Sequence, residues 1–150
     1  MEHEVNDARI RDYEDGDLGA VLDVWSRASA LGHPFLSAAF LAEERRRIPE
    51  VYLPAAHTRV WVEDGRVVGF IALLGNEIGA LFVDPGHGRR GIASSLVTWA
   101  RSAHGRLEVE VFEENAVGRA FYESRGFASV LTRDHEETGR RLIRMTLTSG

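Results

Sequence analysis

Apolar and polar positions along this chain alternate between two periods, and the switches between them mark its elements. Ala8 to Tyr13 reads as a short strand closed by the polar run Glu14-Asp15-Gly16-Asp17. Leu18, Val21, Leu22 and Trp25 then recur at helical spacing, which predicts an amphipathic helix capped by Asp15 or Asp17. Gly32-His33-Pro34 interrupts that helix. Phe35 to Ile48 predicts a second one, with Ser37 as its cap and the run Glu43 to Arg47 on a solvated face. Pro49 and Pro54 mark a loop. In Thr58 to Glu63, Val60 and Val62 alternate with Arg59, Trp61 and Glu63, the two-residue period of a strand. Asp64-Gly65 is a two-residue hairpin signal. Val67 to Leu74 is almost wholly apolar, as in a strand covered on both faces. Its partner runs from Ile78 to Val83, and Gly79 inside it signals a bulge or a close backbone approach.

Asp84-Pro85 stops that strand, because proline donates no ladder hydrogen bond and restricts the residue before it. Glycines follow at 86, 88 and 91, and then Ile92, Leu96, Val97 and Ala100 form the apolar stripe of another helix. A glycine-rich loop therefore opens a helix. The first N–H groups of a helix lack internal partners and carry its positive end, so a phosphate can approach closely there. Arg89 and Arg90 add positive charge. Leu107, Val109 and Val111 alternate with Glu108, Glu110 and Phe112 in a further strand. Asn115 caps a helix whose inner stripe is read as Ala116, Val117, Ala120 and Phe121, closed by Gly126. Phe127 to Arg133 and Arg140 to Thr148 read as two last strands.

The length, 150 residues, suits a single domain spanning the whole sequence. The absence of cysteine excludes disulfides, thiolate metal sites and a cysteine acyl-enzyme. The six histidines are scattered without ligand spacing, so no metal is expected. The first residues are acidic and polar, unlike a signal peptide, and no apolar run approaches the roughly 20 residues of a membrane span. A cytoplasmic protein without membrane contact is expected. With 18 basic against 23 acidic residues the net charge is −5, which argues against nucleic-acid binding. An anionic ligand then needs a local basic spot, and Arg89 and Arg90 supply one.

Two segments carry a family resemblance. Val83-x-Pro85 followed by Gly88-Arg89-Arg90-Gly91-Ile92-Ala93 resembles the coenzyme A loop of the GNAT N-acetyltransferase superfamily, with Gly88 where that loop usually has Gln or Arg. Asn115-x-x-x-x-Ala120-Phe121-Tyr122-x-x-x-Gly126-Phe127 resembles the second signature of the same family, with Gly118 in the usual alanine position. Both stand in the family's order. The resemblance implies an α/β fold in the order β-α-α-β-β-β-α-β-α-β-β, with a mixed central sheet of about six to seven strands and flanking helices. Together with His33-Pro34-Phe35-Leu36-Ser37, the chain looks most like the YjaB-type bacterial N-acetyltransferases, a branch associated with protein lysine acetylation.

Direct acetyl transfer from acetyl-coenzyme A to a primary amine, in a ternary complex, is the reaction the resemblance implies. Leu81, Phe82 and Val83 would pair with the pantetheine arm. Gly88, Arg89, Arg90, Gly91, Ile92, Ala93 and Ser94 would hold the pyrophosphate, with Asn115 and Tyr122 also at the coenzyme. Such transfer needs a base for the ammonium, a donor for the oxyanion and an acid for the departing thiolate. Tyr122 is the candidate acid and a backbone N–H of Leu81 to Val83 the candidate oxyanion donor. Glu110 and Glu77 are both candidate bases, and water is a third. His33 and Phe35 would border the acceptor. The amine is a protein lysine or N-terminal amine in one reading and a small-molecule amine in another, and a non-catalytic acyl-coenzyme A sensor is the remaining alternative. A monomer and a homodimer are both compatible with the sequence.

Overall fold

The structure, a computed structural model, describes residues 8–88 and 91–148. Its elements in chain order are β1 (Ile10–Asp12), α1 (Leu18–Gly32), α2 (Ala38–Arg47), β2 (His57–Glu63), β3 (Arg66–Leu74) and β4 (Glu77–Val83). There follow α3 (Ile92–His104), β5 (Leu107–Phe112), α4 (Ala116–Ser124), β6 (Ala128–Asp134) and β7 (Arg141–Leu147). The seven strands form one sheet in the order β1-β2-β3-β4-β5-β7-β6. Every neighbouring pair is antiparallel except β4 with β5. The expected order of elements and the mixed α/β sheet are both present.

The sheet is covered on both faces. Val68, Ile71 and Leu73 of β3 pack with Ile92, Leu96, Val97 and Ala100 of α3 and with Tyr122 of α4. On the opposite face Val67 and Phe70 of β3 pack with Val21 and Val24 of α1. This double cover explains why Val67 to Leu73 is continuously apolar, and each large aliphatic side chain buried there contributes about 1.5–3 kcal/mol. The hairpin after β2 turns through Asp64 and Gly65, both at positive φ (51° and 76°), the geometry that a two-residue turn between twisted strands requires.

Three local expectations are corrected. Asp17 does not cap α1 with its side chain. Its carboxylate instead accepts the Glu14 N–H (2.8 Å) and two bonds from the Arg11 guanidinium (2.8 and 2.9 Å), tying β1 to the start of the helix. The segment around Pro49 and Pro54 is helical rather than a loop, with turns over Ile48–Tyr52 and Leu53–Ala55. Each proline is the second residue of its turn, within a helical run that continues directly from α2. Val117, assigned to the inner stripe of α4, is 81% exposed, and Ala116 and Ala120 are exposed with it. The aromatic rings set the rotation of this nine-residue helix, since Tyr122 and Phe127 bury far more area than two alanines and a valine.

Candidate active site

The functional geometry begins with a bulge. β3 and β4 pair Ala72 with Ala80 and Leu73 with Ile78, so Gly79 is the extra residue, at the position where the sequence signals one. On its other side β4 pairs with β5 only at Glu77 with Glu108 and Ile78 with Val109. Past that point the described residues of β4 pair with β3 alone, while β5 pairs antiparallel with β7 throughout Leu107 to Phe112. The two strands part, and the β5-facing backbone edge of Ala80 to Val83 has no ladder partner. Leu81, Phe82 and Val83 are half-buried along this edge. Leu81 and Val83 pack toward the α3 and α4 side, and Phe82 toward α1.

At the end of β4 the chain turns on Asp84. Its carboxylate, only 4% exposed, accepts the Gly86 N–H (2.9 Å) and two contacts from Arg27 of α1 (3.2 and 3.4 Å). The turn then leads through the exposed Gly88 to Gly91, the N-cap of α3. Gly91 has φ 77°, a left-handed backbone that side-chain-bearing residues avoid, and among the described residues no atom beyond its own helix and chain neighbours lies within 4 Å of where a Cβ would stand. Ile92 is buried and anchors the helix, whereas Ala93 and Ser94 are half-buried in its first turn. Arg89 and Arg90, expected at this loop, lie outside the described residues.

Tyr122 lies beneath the sheet on the α4 side, its ring 5.2 Å from those of both Phe121 and Phe127. Burial pushes its phenol pKa well above the ordinary value, so the hydroxyl keeps its proton at neutral pH. Asn115 caps α4 through its Oδ1, which accepts the Gly118 N–H at 3.0 Å. A Cβ on Gly118 would stand 2.5 Å from Asn115 Nδ2, so the glycine in place of the usual alanine makes room for this cap.

Across the sheet, on the α1 and α2 side, His33 and Phe35 meet an aromatic wall. The His33 ring lies edge-on to Phe35 (5.7 Å), to Phe82 of β4 (6.3 Å) and to Phe112 of β5 (5.5 Å). Phe112 also meets Phe35 and His135, both at 5.5 Å, and Arg140 stands 5.4 Å over Phe35. The sequence reading missed Phe112, His135 and Arg140 here. Phe112 carried a signal, as the aromatic at a polar-face position of β5; the turn that delivers His135 and Arg140 carried none.

The two candidate bases lie on this same side, and both are bound. Glu110 accepts two bonds from Arg133 (2.8 and 2.7 Å), which hold its pKa below the usual carboxylate value. Glu77 faces Arg144 at 3.4 and 3.5 Å, and Arg144 also pairs with Glu108. Glu77 stands where β4 and β5 are still paired, Glu110 where they have parted. Among the described residues no three His, Asp or Glu side chains gather as a metal-ligand set, and no helix is long and apolar enough to cross a membrane.

A parallel pair that parts beside a glycine-led helix offers a backbone edge to an extended thioester and N–H groups to its phosphates, which defines a class of acyl-transfer fold. The family model described as "Acetyltransferase (GNAT) domain" matches residues 55–129, from just before β2 into β6. This chain belongs to the GNAT acetyltransferase family, whose members take the acetyl group from acetyl-coenzyme A. It is 33% identical over 130 residues to the peptidyl-lysine N-acetyltransferase YiaC of Escherichia coli (strain K12), covering 86% of this chain and 89% of the relative. The solution structure of apo-form YjaB from Escherichia coli superposes with a TM-score of 0.84 at 28% identity, covering 94% of this chain and 97% of that one. The PaiA N-acetyltransferase of Thermoplasma acidophilum, solved in complex with coenzyme A, shares the fold at 18% identity, with a TM-score of 0.64 and coverage of 90% and 96%.

Proposed function

We propose that this chain, as a single domain, moves the acetyl group of acetyl-coenzyme A directly to the side-chain amine of lysine in a protein or peptide. The parting of β4 from β5 after Ile78 and Val109 carries the reading, because it leaves one strand edge free beside a protonated tyrosine. The names of YiaC and of the YjaB relatives, peptidyl-lysine N-acetyltransferases, support lysine over other amines.

In this reading the pantetheine amides pair with the open edge of Leu81, Phe82 and Val83, as an added strand would. The pyrophosphate lies against the first N–H groups of α3, at Gly91, Ile92, Ala93 and Ser94, with Gly88 before them, and the sequence supplies positive charge there through Arg89 and Arg90. A β4 backbone N–H donates to the developing oxyanion. Tyr122 gives its hydroxyl proton to the departing thiolate, and Asn115 orders the start of α4 beside it. The acceptor stem enters along His33 and Phe35, where Phe112 and Phe82 line the far side. Apolar walls of this kind suit the methylene stem of lysine while its ammonium reaches the thioester.

The test is thiol release from acetyl-coenzyme A with three acceptors: a peptide whose only amine is a lysine side chain, one with only a free α-amine, and a polyamine. Release is expected with the lysine peptide foremost. A polyamine preferred over both peptides would make this a small-molecule acetyltransferase, and tight coenzyme binding without any release would make it a sensor.

A further inference from the structure

The reaction needs a base on the acceptor side, and the two carboxylates there are engaged by arginines. Glu110 is gripped by both arms of Arg133, with Arg144 3.6 Å away, so a proton added to it displaces charge-assisted bonds. Glu77 faces Arg144 at the closed end of the strand pair. His33 is differently placed. It ends α1, its N–H bonded to the Ser29 carbonyl at 2.8 Å, and the chain's departure there lays the ring across the gap. One ring neighbour, Phe82, belongs to β4 and another, Phe112, to β5, the two strands that have parted.

Its protonation state follows from its neighbour. Asn115 Oδ1 is committed to the Gly118 N–H, so the group that Asn115 presents to His33 is Nδ2, at 3.4 Å from His33 Nε2. A donor facing Nε2 requires that this nitrogen carry the lone pair and Nδ1 the proton. The bond is long, so a charged ammonium N–H, a stronger donor, can take its place. The groups on the ring are uncharged: Phe35 of its own segment, Phe82, Phe112 and the Asn115 amide. Charged and titratable groups stand one step away. Glu110 shares a face of β5 with Phe112 and is held by Arg133, His135 meets the Phe112 ring, and Arg140 lies over Phe35 and is paired with Glu114. Burial lowers the His33 pKa, so the lone pair is present at neutral pH.

We propose that His33 is the general base of this acetyltransferase, accepting the acceptor's proton at Nε2, with the Asn115 amide fixing the tautomer that carries its lone pair there until the ammonium displaces it. The assignment rests on the acetyl-transfer reading above. The ammonium gives one proton to His33, and the free amine attacks the acetyl carbonyl carbon. As the adduct collapses, the C–S bond breaks with its electron pair on sulfur. The thiolate takes the Tyr122 proton, and Tyr122 recovers one from the new amide nitrogen. His33, half-buried, returns its proton to water. The products are an amide, a free thiol and one released proton.

The test is the pH dependence of kcat and kcat/KM for a lysine peptide in wild type, His33→Gln and Glu110→Gln, with coenzyme affinity measured by calorimetry. Wild type should lose rate as pH falls through a midpoint below the usual histidine value of about 6.5. His33→Gln should lower kcat by about 10²-fold or more, abolish that acid limb, keep coenzyme affinity and regain rate with added imidazole. Glu110→Gln should retain the limb. As a second variant, Gly118→Ala displaces Asn115 Nδ2 and so removes the donor that favours the neutral ring; the limb should move to higher pH. A His33→Gln enzyme with wild-type rate and profile overturns the assignment and leaves the acetyltransferase reading intact. So does a slow one that keeps its acid limb and ignores imidazole, or a Gly118→Ala enzyme whose limb does not move. A wild-type protein that releases no thiol with any amine overturns both readings.

Discussion

Tyr122 and Asn115 are seven positions apart and do different work at the two ends of one short helix. Tyr122 is packed among Phe121, Phe127 and the α3 core, so its ring is structural, while its hydroxyl is the acid of the proposed reaction. Replacing it with phenylalanine keeps the ring and removes only the hydroxyl: kcat should fall by about 10²-fold, with coenzyme affinity and melting temperature unchanged. An unchanged kcat would move the acid elsewhere, to solvent or another donor. The sequence motif made both residues legible, but it misjudged the face of α4. Spacing put Val117 on the inner stripe and left Tyr122 off it, whereas the larger ring took the core because buried area scales with size. The departure at Gly118 was also visible as a letter, whereas its reason, the space taken by the Asn115 cap, required coordinates.

At the scale of elements, two ties fix the site's edges. Arg27 joins α1 to the turn after β4 through the buried Asp84. Arg27→Ala leaves that carboxylate without its cation. Because Arg27 is half exposed, the cost should be about 1–2 kcal/mol, below that of breaking a fully buried pair. Adding Asp84→Asn, whose side-chain oxygen still accepts the Gly86 N–H, should recover part of it, as urea melts of the four proteins in the cycle would register. No recovery would mean that the loss comes from packing of the Arg27 stem. The second tie is Arg133 of β6 on Glu110 of β5. The bonds lower the folded-state pKa of Glu110 below its unfolded value of about 4.3. Their stabilisation is therefore present above that unfolded value and is lost as pH falls through the lower folded one. With Arg133 about half exposed and screened by solvent the effect is small, so melts of Arg133→Ala and wild type should differ slightly at neutral pH and converge in acid. These ties were not legible in the sequence, because Arg27 and Asp84 are 57 positions apart and Arg133 and Glu110 are 23.

For the whole molecule, charge composition has a chemical consequence. All 18 basic residues are arginine, and the sequence contains no lysine. Guanidinium stays protonated at pKa values above about 12 and presents no nucleophilic nitrogen, whereas it still forms the ion pairs described above. An amine acetyltransferase of this composition offers its own reaction no side-chain acceptor. After incubation with acetyl-coenzyme A, peptide mass spectrometry should find no acetylated side chain in the enzyme. An acetylated serine, threonine or tyrosine would show that transfer is not confined to amines.

Periodicity, turn residues and two motifs were enough to place seven strands and four helices in order, including the bulge at Gly79 and the cap at Ser37, because those features depend on residues near one another in the chain. The point where β4 leaves β5, the engagement of Glu110 and Glu77 by arginines, and the arrival of His33 between Phe82 and Phe112 were decided by tertiary structure. Each joins segments distant in sequence, and local pattern carries no information about which side chains meet once the sheet is assembled.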